Sequence, residues 1–160
     1  KPCADGMDQL VFMISPNPGE PLRPMAQIAS GGEISRIMLA MKAISAENEG
    51  VDTMIFDEID TGVSGRMAQT VGEKMCALGR SRQVICVTHL AQIAALGDSQ
   101  YLVEKTVKDG HTGSSVRRLD EEGRVGELAR LVGGADDSAS GREHARSMLA
   151  AAETLKKKRF

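Results

Sequence analysis

Apolar residues fall in blocks along this chain, and the period changes from block to block. Leu10-Val11-Phe12-Met13-Ile14 is a continuous apolar run and predicts a strand. Ser15 to Pro21 follows as a loop stiffened by its prolines. Ile34, Ile37, Met38, Met41 and Ile44 then recur at 3.6-residue spacing and predict a helix with one apolar face. Ser30 stands before it as N-cap, with Glu33 three residues on, the spacing of a capping box. Met54 to Phe56 is a second strand, Gly62 to Gly65 a turn, and Met67, Val71, Met75 and Leu78 a second helix stopped by Gly79. Gln83 to Val87 is a third strand, ending in Thr88-His89 and followed by a short helix from Leu90 to Leu96.

In the last third, Tyr101–Glu104 and Ser115–Leu119 are expected to pair as a hairpin across the polar loop Lys108 to Gly113. Two helices close the chain: Val125 to Val132, stopped by Gly133-Gly134, and roughly Ser138 to Lys157. Strand, helix, strand, helix, strand implies right-handed crossovers. The predicted fold is therefore α/β, a mostly parallel sheet flanked by helices with a C-terminal β-hairpin and helices, in one unit over 1–160. Both strong apolar strands end in ionisable residues, so neighbouring strands would bring Asp57, Glu58 and His89 to one crevice.

Composition narrows the possibilities. With 41% hydrophobic and 26% charged residues the chain is of ordinary globular type. Aromatics are 2% and Trp is absent, so the core rests on aliphatics and nine Met, and base stacking is a poor expectation. A net charge of −2 argues against electrostatic DNA binding by the chain as a whole. The one basic cluster, Lys156 to Arg159, reads as a solvated helix end or as a phosphate contact. Cys3, Cys76 and Cys86 show no zinc or redox spacing, which points to reduced thiols and a cytoplasmic setting. No apolar run is long enough to span a membrane. A start at Lys1-Pro2, with neither initiator Met nor signal peptide, suggests a fragment of a longer protein.

Three segments carry candidate chemistry. Met54-Ile55-Phe56 runs into Asp57-Glu58, where an Asp can hold Mg²⁺ and a Glu can polarise water; neighbouring strand residues point to opposite faces, so their tasks should differ. The same acids could instead be solvated, pair with Arg, or join Asp60 and His89 as ligands of a metal-dependent hydrolase. Ser30-Gly31-Gly32-Glu33 is either a capped helix start or a phosphate cradle, in which backbone N–H groups and a hydroxyl meet an anion at the helix N-terminus. His89 is either a hydrogen-bonded structural residue or an imidazole donating to a phosphate or to attacking water.

In this order the segments resemble the C-terminal part of an ABC-type ATPase head. Ser30-Gly31-Gly32-Glu33 looks like the signature motif, Met54 to Asp57 like the Walker B strand with Glu58 as catalytic glutamate, Ile59 to Gly62 like the D-loop, and His89 like the switch histidine. Ala29 replaces the Leu usual in transporters, and Thr61-Gly62 departs from the transporter D-loop. Gln27 to Arg36, Ile55 to Gly65, Cys86 to Ala94 and Glu127 to Gly134 together resemble the RecN family of SMC-like ATPases, over the chain from about Pro24 to the tail.

The resemblance implies a P-loop NTPase-like lobe with ATP and Mg²⁺ as cofactors. Asp57 would hold the metal through water, Glu58 would orient or deprotonate water, and His89 would sense the γ-phosphate. Ser30, Gly31, Gly32, Glu33 and Asp60 would serve nucleotide binding, the signature residues on ATP held by a second head. The implied partners are an N-terminal Walker A lobe of the same polypeptide, a second head in an ATP-dependent homodimer, and DNA through the full-length protein; the implied role is DNA double-strand-break repair and recombination. No Gly-x-x-x-x-Gly-Lys-[Ser/Thr] and no long heptad run occur here. The chain alone is therefore expected to lack ATPase activity and, with its packing partner missing, to self-associate through exposed apolar surface. An ATP-gated docking module with little hydrolysis and an ABC-transporter nucleotide-binding domain are the alternative readings.

Overall fold

The computed structural model describes residues 6, 8, 10–15, 18–28, 30–45, 50–108, 111–133 and 138–159. Cys3, Ala29, Gly134 and the hairpin tip at 109–110 lie outside the described residues.

The first apolar run is a strand only at β1 (Met13–Ile14), which pairs antiparallel with β2 (Arg23–Pro24). This ribbon is separate from the other strands, so the predicted parallel arrangement of the first strand is not realised. Leu10, Val11 and Phe12 are exposed, and past the paired Pro24 one cross-ribbon bond, Met25 N–H to Phe12 O at 2.8 Å, precedes the helix that starts at Met25. After the short α1 (Met25–Ile28), the capping box opens α2 (Gly31–Ser45). β3 (Thr53–Phe56), α3 (Gly65–Leu78) and β4 (Gln83–Cys86) then form a strand–helix–strand unit in which β3 and β4 pair in parallel, as expected. Among the described residues, three two-stranded pairs thus stand in place of one larger sheet, and one of the three is parallel.

One core lies on the inner face of the β3–β4 pair. Met54 and Phe56 meet Leu39 of α2, Ile59, Ala68, Val71, Met75 and Leu78 of α3, and Ile93 of α4 (Ala91–Ala94). Each large aliphatic side chain buried there contributes about 1.5–3 kcal/mol. The opposite face keeps Ile55, Ile85 and Val87 exposed, Ile55 at 69%.

The hairpin forms in the expected place but is longer, β5 (Tyr101–Lys108) against β6 (His111–Arg118). α5 (Glu121–Gly133) starts before the predicted Val125 because Asp120 caps it, its Oδ1 accepting from Gly123 N–H at 2.8 Å. α6 (Ala139–Arg159) is capped by Ser138, whose Oγ accepts from Gly141 N–H at 3.1 Å. A second core joins Ala91, Ala95 and Leu96 to Val125, Leu128 and Ala129 of α5 and Ala145 and Ala152 of α6. Lys156, expected in a solvated cluster, is only 12% exposed at its side chain and bonds Asp98 at 2.7 Å. That pair ties α6 to the turn after α4.

Candidate functional site

The parallel register aligns Phe56 with Cys86, and Val87 N–H donates to Phe56 O at 3.0 Å. Asp57 and Val87 therefore leave the pair side by side at its C-terminal edge, followed by Glu58 and Thr88, where α/β units carry ligand sites. Asp57 Oδ1 accepts from Glu58 N–H at 2.9 Å, and Thr61 N–H donates to Glu58 O at 3.1 Å, which closes a turn. Glu58 adopts φ +57°, a left-handed conformation that costs a non-glycine residue about 1–3 kcal/mol. Both acids of the pair are exposed.

Asp60 is different, with only 3% of its surface exposed. Its Oδ2 accepts from Thr88 Oγ1–H at 2.6 Å and His89 N–H at 2.8 Å, and lies 3.0 Å from His89 Nδ1. Burial pushes the Asp60 carboxyl up, but the bonds from Thr88 and the His89 backbone, with the nearby His89 ring, hold it below the usual carboxylate range. Thr88 Oγ1 also accepts from Leu90 N–H at 3.1 Å, so one carboxylate fixes the whole 88–90 bend. The His89 side chain remains 72% exposed.

Opposite this loop stands the start of α2. Ser30 N–H donates to Glu33 Oε2 at 2.8 Å, and Glu33 N–H donates to Ser30 Oγ at 3.4 Å. The predicted capping box is therefore formed, and the bonds from Ser30 N–H and Ser30 Oγ hold the Glu33 carboxyl below its ordinary range. Gly31 and Gly32 lie flush against the acid turn. A Cβ on Gly31 would fall 2.6 Å from Glu58 Oε2, and one on Gly32 would fall 2.8 Å from Glu58 O and 2.9 Å from Thr61 O. One turn later, Ser35 Oγ–H donates to Asp57 O at 3.0 Å, and Arg36 Nη1 donates to Ile59 O at 3.1 Å and Thr61 O at 2.8 Å.

The structure thus gathers predicted residues at one edge: Gly31 and Gly32 against Glu58, and His89 against Asp60, with Ser30 bonded to Glu33 at the start of the same helix. Glu33 turns back onto Ser30. Asp57, Glu58, Asp60 and His89 do not assemble as a metal-ligand cluster; no group of three or more His, Cys, Asp or Glu able to hold a metal occurs among the described residues. Mg²⁺ bound mainly by phosphates and water needs only one or two carboxylates, and exposed Asp57 fits that role. Behind the site, burial together with the charges of Asp60 and Asp57 pushes the Cys86 thiol up to about 12, which keeps it protonated and unreactive. Sequence reasoning gave no task to Ser35, Arg36 or Thr88. The available signal was helical spacing, since Gly32, Ser35, Arg36 and Leu39 share one face of α2.

No protein-family model matches the chain. It is 45% identical to the DNA repair protein RecN of Halalkalibacterium halodurans, over 95% of this chain and 27% of that protein. The DNA repair protein RecN of Bacillus subtilis is 42% identical over 94% of this chain and 26% of the relative; that of Vibrio cholerae is 46% identical over 92% and 26%. A solved structure described by ATP-driven dimerization and DNA-stimulated activation of SMC ATPases covers 69% of this chain and 73% of its own, with 19% identity and a TM-score of 0.45, a likeness too slight to carry any argument. The chain spans about a quarter of the length of the curated relatives it matches. With such identity across nearly all of its own residues, this chain belongs to the family of the DNA repair protein RecN.

Proposed function

We propose that this chain is the C-terminal lobe of an SMC-like, P-loop NTPase-type head that binds and hydrolyses ATP, dimerises on it, and serves DNA double-strand-break repair. The observation that carries the reading is the convergence of the α2 start, the acid pair after β3 and the histidine after β4 at one edge, bonded to one another through Ser35, Arg36 and Asp60. The names borne by the relatives support the repair role.

ATP with Mg²⁺ would supply the phosphates, the leaving group and the metal charge that phosphoryl transfer needs. Asp57 is the carboxylate placed to hold the metal, through water. Glu58, exposed on its turn, orients or deprotonates the attacking water. His89 stands after the neighbouring strand end, its backbone N–H bonded to Asp60 and its ring exposed. Ser30, Gly31 and Gly32 form the N-terminus of a helix, suited to the γ-phosphate of a second head. Glu33 completes this start by capping it. In this reading an N-terminal Walker A lobe holds the β- and γ-phosphates, and the described chain alone turns over no ATP.

The test is ATP hydrolysis by the full-length protein. Glu58→Gln should lower kcat by about 10²–10⁴-fold, the usual contribution of a positioned general base. The isolated chain should show no hydrolysis above buffer. Equal rates for wild type and Glu58→Gln, or robust turnover by the isolated chain that Glu58→Gln abolishes, would overturn the reading.

A further inference from the structure

The turn that carries Glu58 is held by one face of α2. Glu58 keeps φ +57°, a left-handed conformation that a non-glycine residue holds only where its surroundings fix it. Its φ and ψ are set by the two peptide planes that flank it. The first is pinned at both ends: Ser35 Oγ–H donates to Asp57 O at 3.0 Å, and Glu58 N–H donates to Asp57 Oδ1 at 2.9 Å. The second is held by Thr61 N–H, which donates to Glu58 O at 3.1 Å. Arg36 grips the turn beyond, Nη1 donating to Ile59 O at 3.1 Å and to Thr61 O at 2.8 Å. Gly32 closes the same face, where a Cβ would fall 2.8 Å from Glu58 O. Gly32, Ser35 and Arg36 are spaced i, i+3 and i+4, so one side of one helix meets the carbonyls of residues 57, 58, 59 and 61. The side chains of Ile59 and Asp60 anchor the turn to the core and to the 88–90 bend, and leave these carbonyls to α2.

We propose that Ser35 and Arg36 are positioning residues for Glu58: by fixing the peptide planes around it, they hold its backbone, and with it the origin of its carboxylate, in one conformation. The hold on the turn follows from the hydrogen bonds of this chain alone. The catalytic consequence rests on the ATP-hydrolysing reading above. In this assignment Ser35 and Arg36 touch neither nucleotide nor water, and act only through Glu58. Misplacing a catalytic group by about 1 Å costs up to about 10²-fold in rate, so loss of either side chain should appear in kcat rather than in KM.

The test is a double-mutant cycle on ATP hydrolysis by the full-length protein, with folding of each variant checked by circular dichroism. Ser35→Ala and Arg36→Ala should each lower kcat by about 10–100-fold with KM nearly unchanged. In the Glu58→Gln background neither change should lower kcat further, because a residue that acts through Glu58 then has no carboxylate to position. A merely structural residue would lower the rate by the same factor in both backgrounds. That additive result, or a wild-type kcat in both alanine variants, would overturn the proposal while leaving the role of Glu58 intact. Should Arg36→Ala fail to fold, Ser35→Ala, which removes a single hydroxyl, decides by the same cycle. An unchanged rate in Glu58→Gln alone would instead overturn the ATP-hydrolysing reading, and this proposal with it.

Discussion

Gly31 and Gly32 are adjacent in sequence, yet they face different constraints. A methyl group on Gly31 would meet only the end of the flexible Glu58 side chain, which can swing aside. On Gly32 it would meet the backbone oxygens of Glu58 and Thr61, which cannot move without opening the turn. Gly32→Ala should therefore destabilise the chain by about 1–3 kcal/mol, as overpacking does, while Gly31→Ala should leave the urea midpoint nearly unchanged. Equal midpoints for the two variants would contradict this packing. Asp60 provides a second residue-scale test. Its folded pKa is depressed, so its contribution is complete at neutral pH and disappears as pH falls below about 4. Asp60→Asn should thus be less stable than wild type at pH 7, and the gap should close in acid; a gap independent of pH would refute the buried, ionised carboxylate. At this scale the candidate residues were legible as chemical types, but Asp60 serving as the anchor of His89 was not. That role depends on a pairing across 29 residues that only the β3–β4 register creates.

α2 shows why apolar periodicity is an incomplete guide to an element. Its predicted face was Ile34, Ile37, Met38, Met41 and Ile44, but Ile34, Met38 and Met41 are exposed and Ile44 is 86% exposed. The face that packs inward instead carries Gly32, Ser35, Arg36 and Leu39, of which Leu39 is the apolar member and is 3% exposed. Two polar side chains sit there because the surface they meet is a row of carbonyls from the acid turn, which requires donors. Arg36 gives two charge-assisted bonds to that turn, so Arg36→Ala should cost about 1.5–3 kcal/mol in urea denaturation. Lys at this position restores a point charge without the planar fork, and should recover only part of the loss. An Arg36→Ala midpoint equal to wild type would show that the strap does not hold the loop. Helix α3 was read from Met67, Val71, Met75 and Leu78; the last three pack on an apolar sheet face, where hydrophobicity and burial coincide, whereas Met67 is 55% exposed. The early start of α5 was readable from Asp120 followed by two acids in the first turn, but apolar spacing alone began the helix at Val125.

The β3–β4 pair buries its inner face, while Ile55, Ile85 and Val87 stay exposed on the other, and the hairpin exposes Tyr101, Val103, Val107 and Val116. The parallel unit, the hairpin and the closing helices were legible from local pattern. The expected larger sheet was not realised, because β1 finds its partner in β2 rather than beside β3. The chain covers about a quarter of each relative, which fits the proposal that its acids and its signature helix complete their sites against other lobes. The central claim is that ATP joins two heads, with α2 of one meeting the phosphates of the other. Its most direct measurement is the mass of the full-length Glu58→Gln protein by size-exclusion chromatography with light scattering, with ATP, with ADP and without nucleotide. The account predicts a dimer that persists with ATP and is absent with ADP or no nucleotide; a monomer under all three conditions would contradict it.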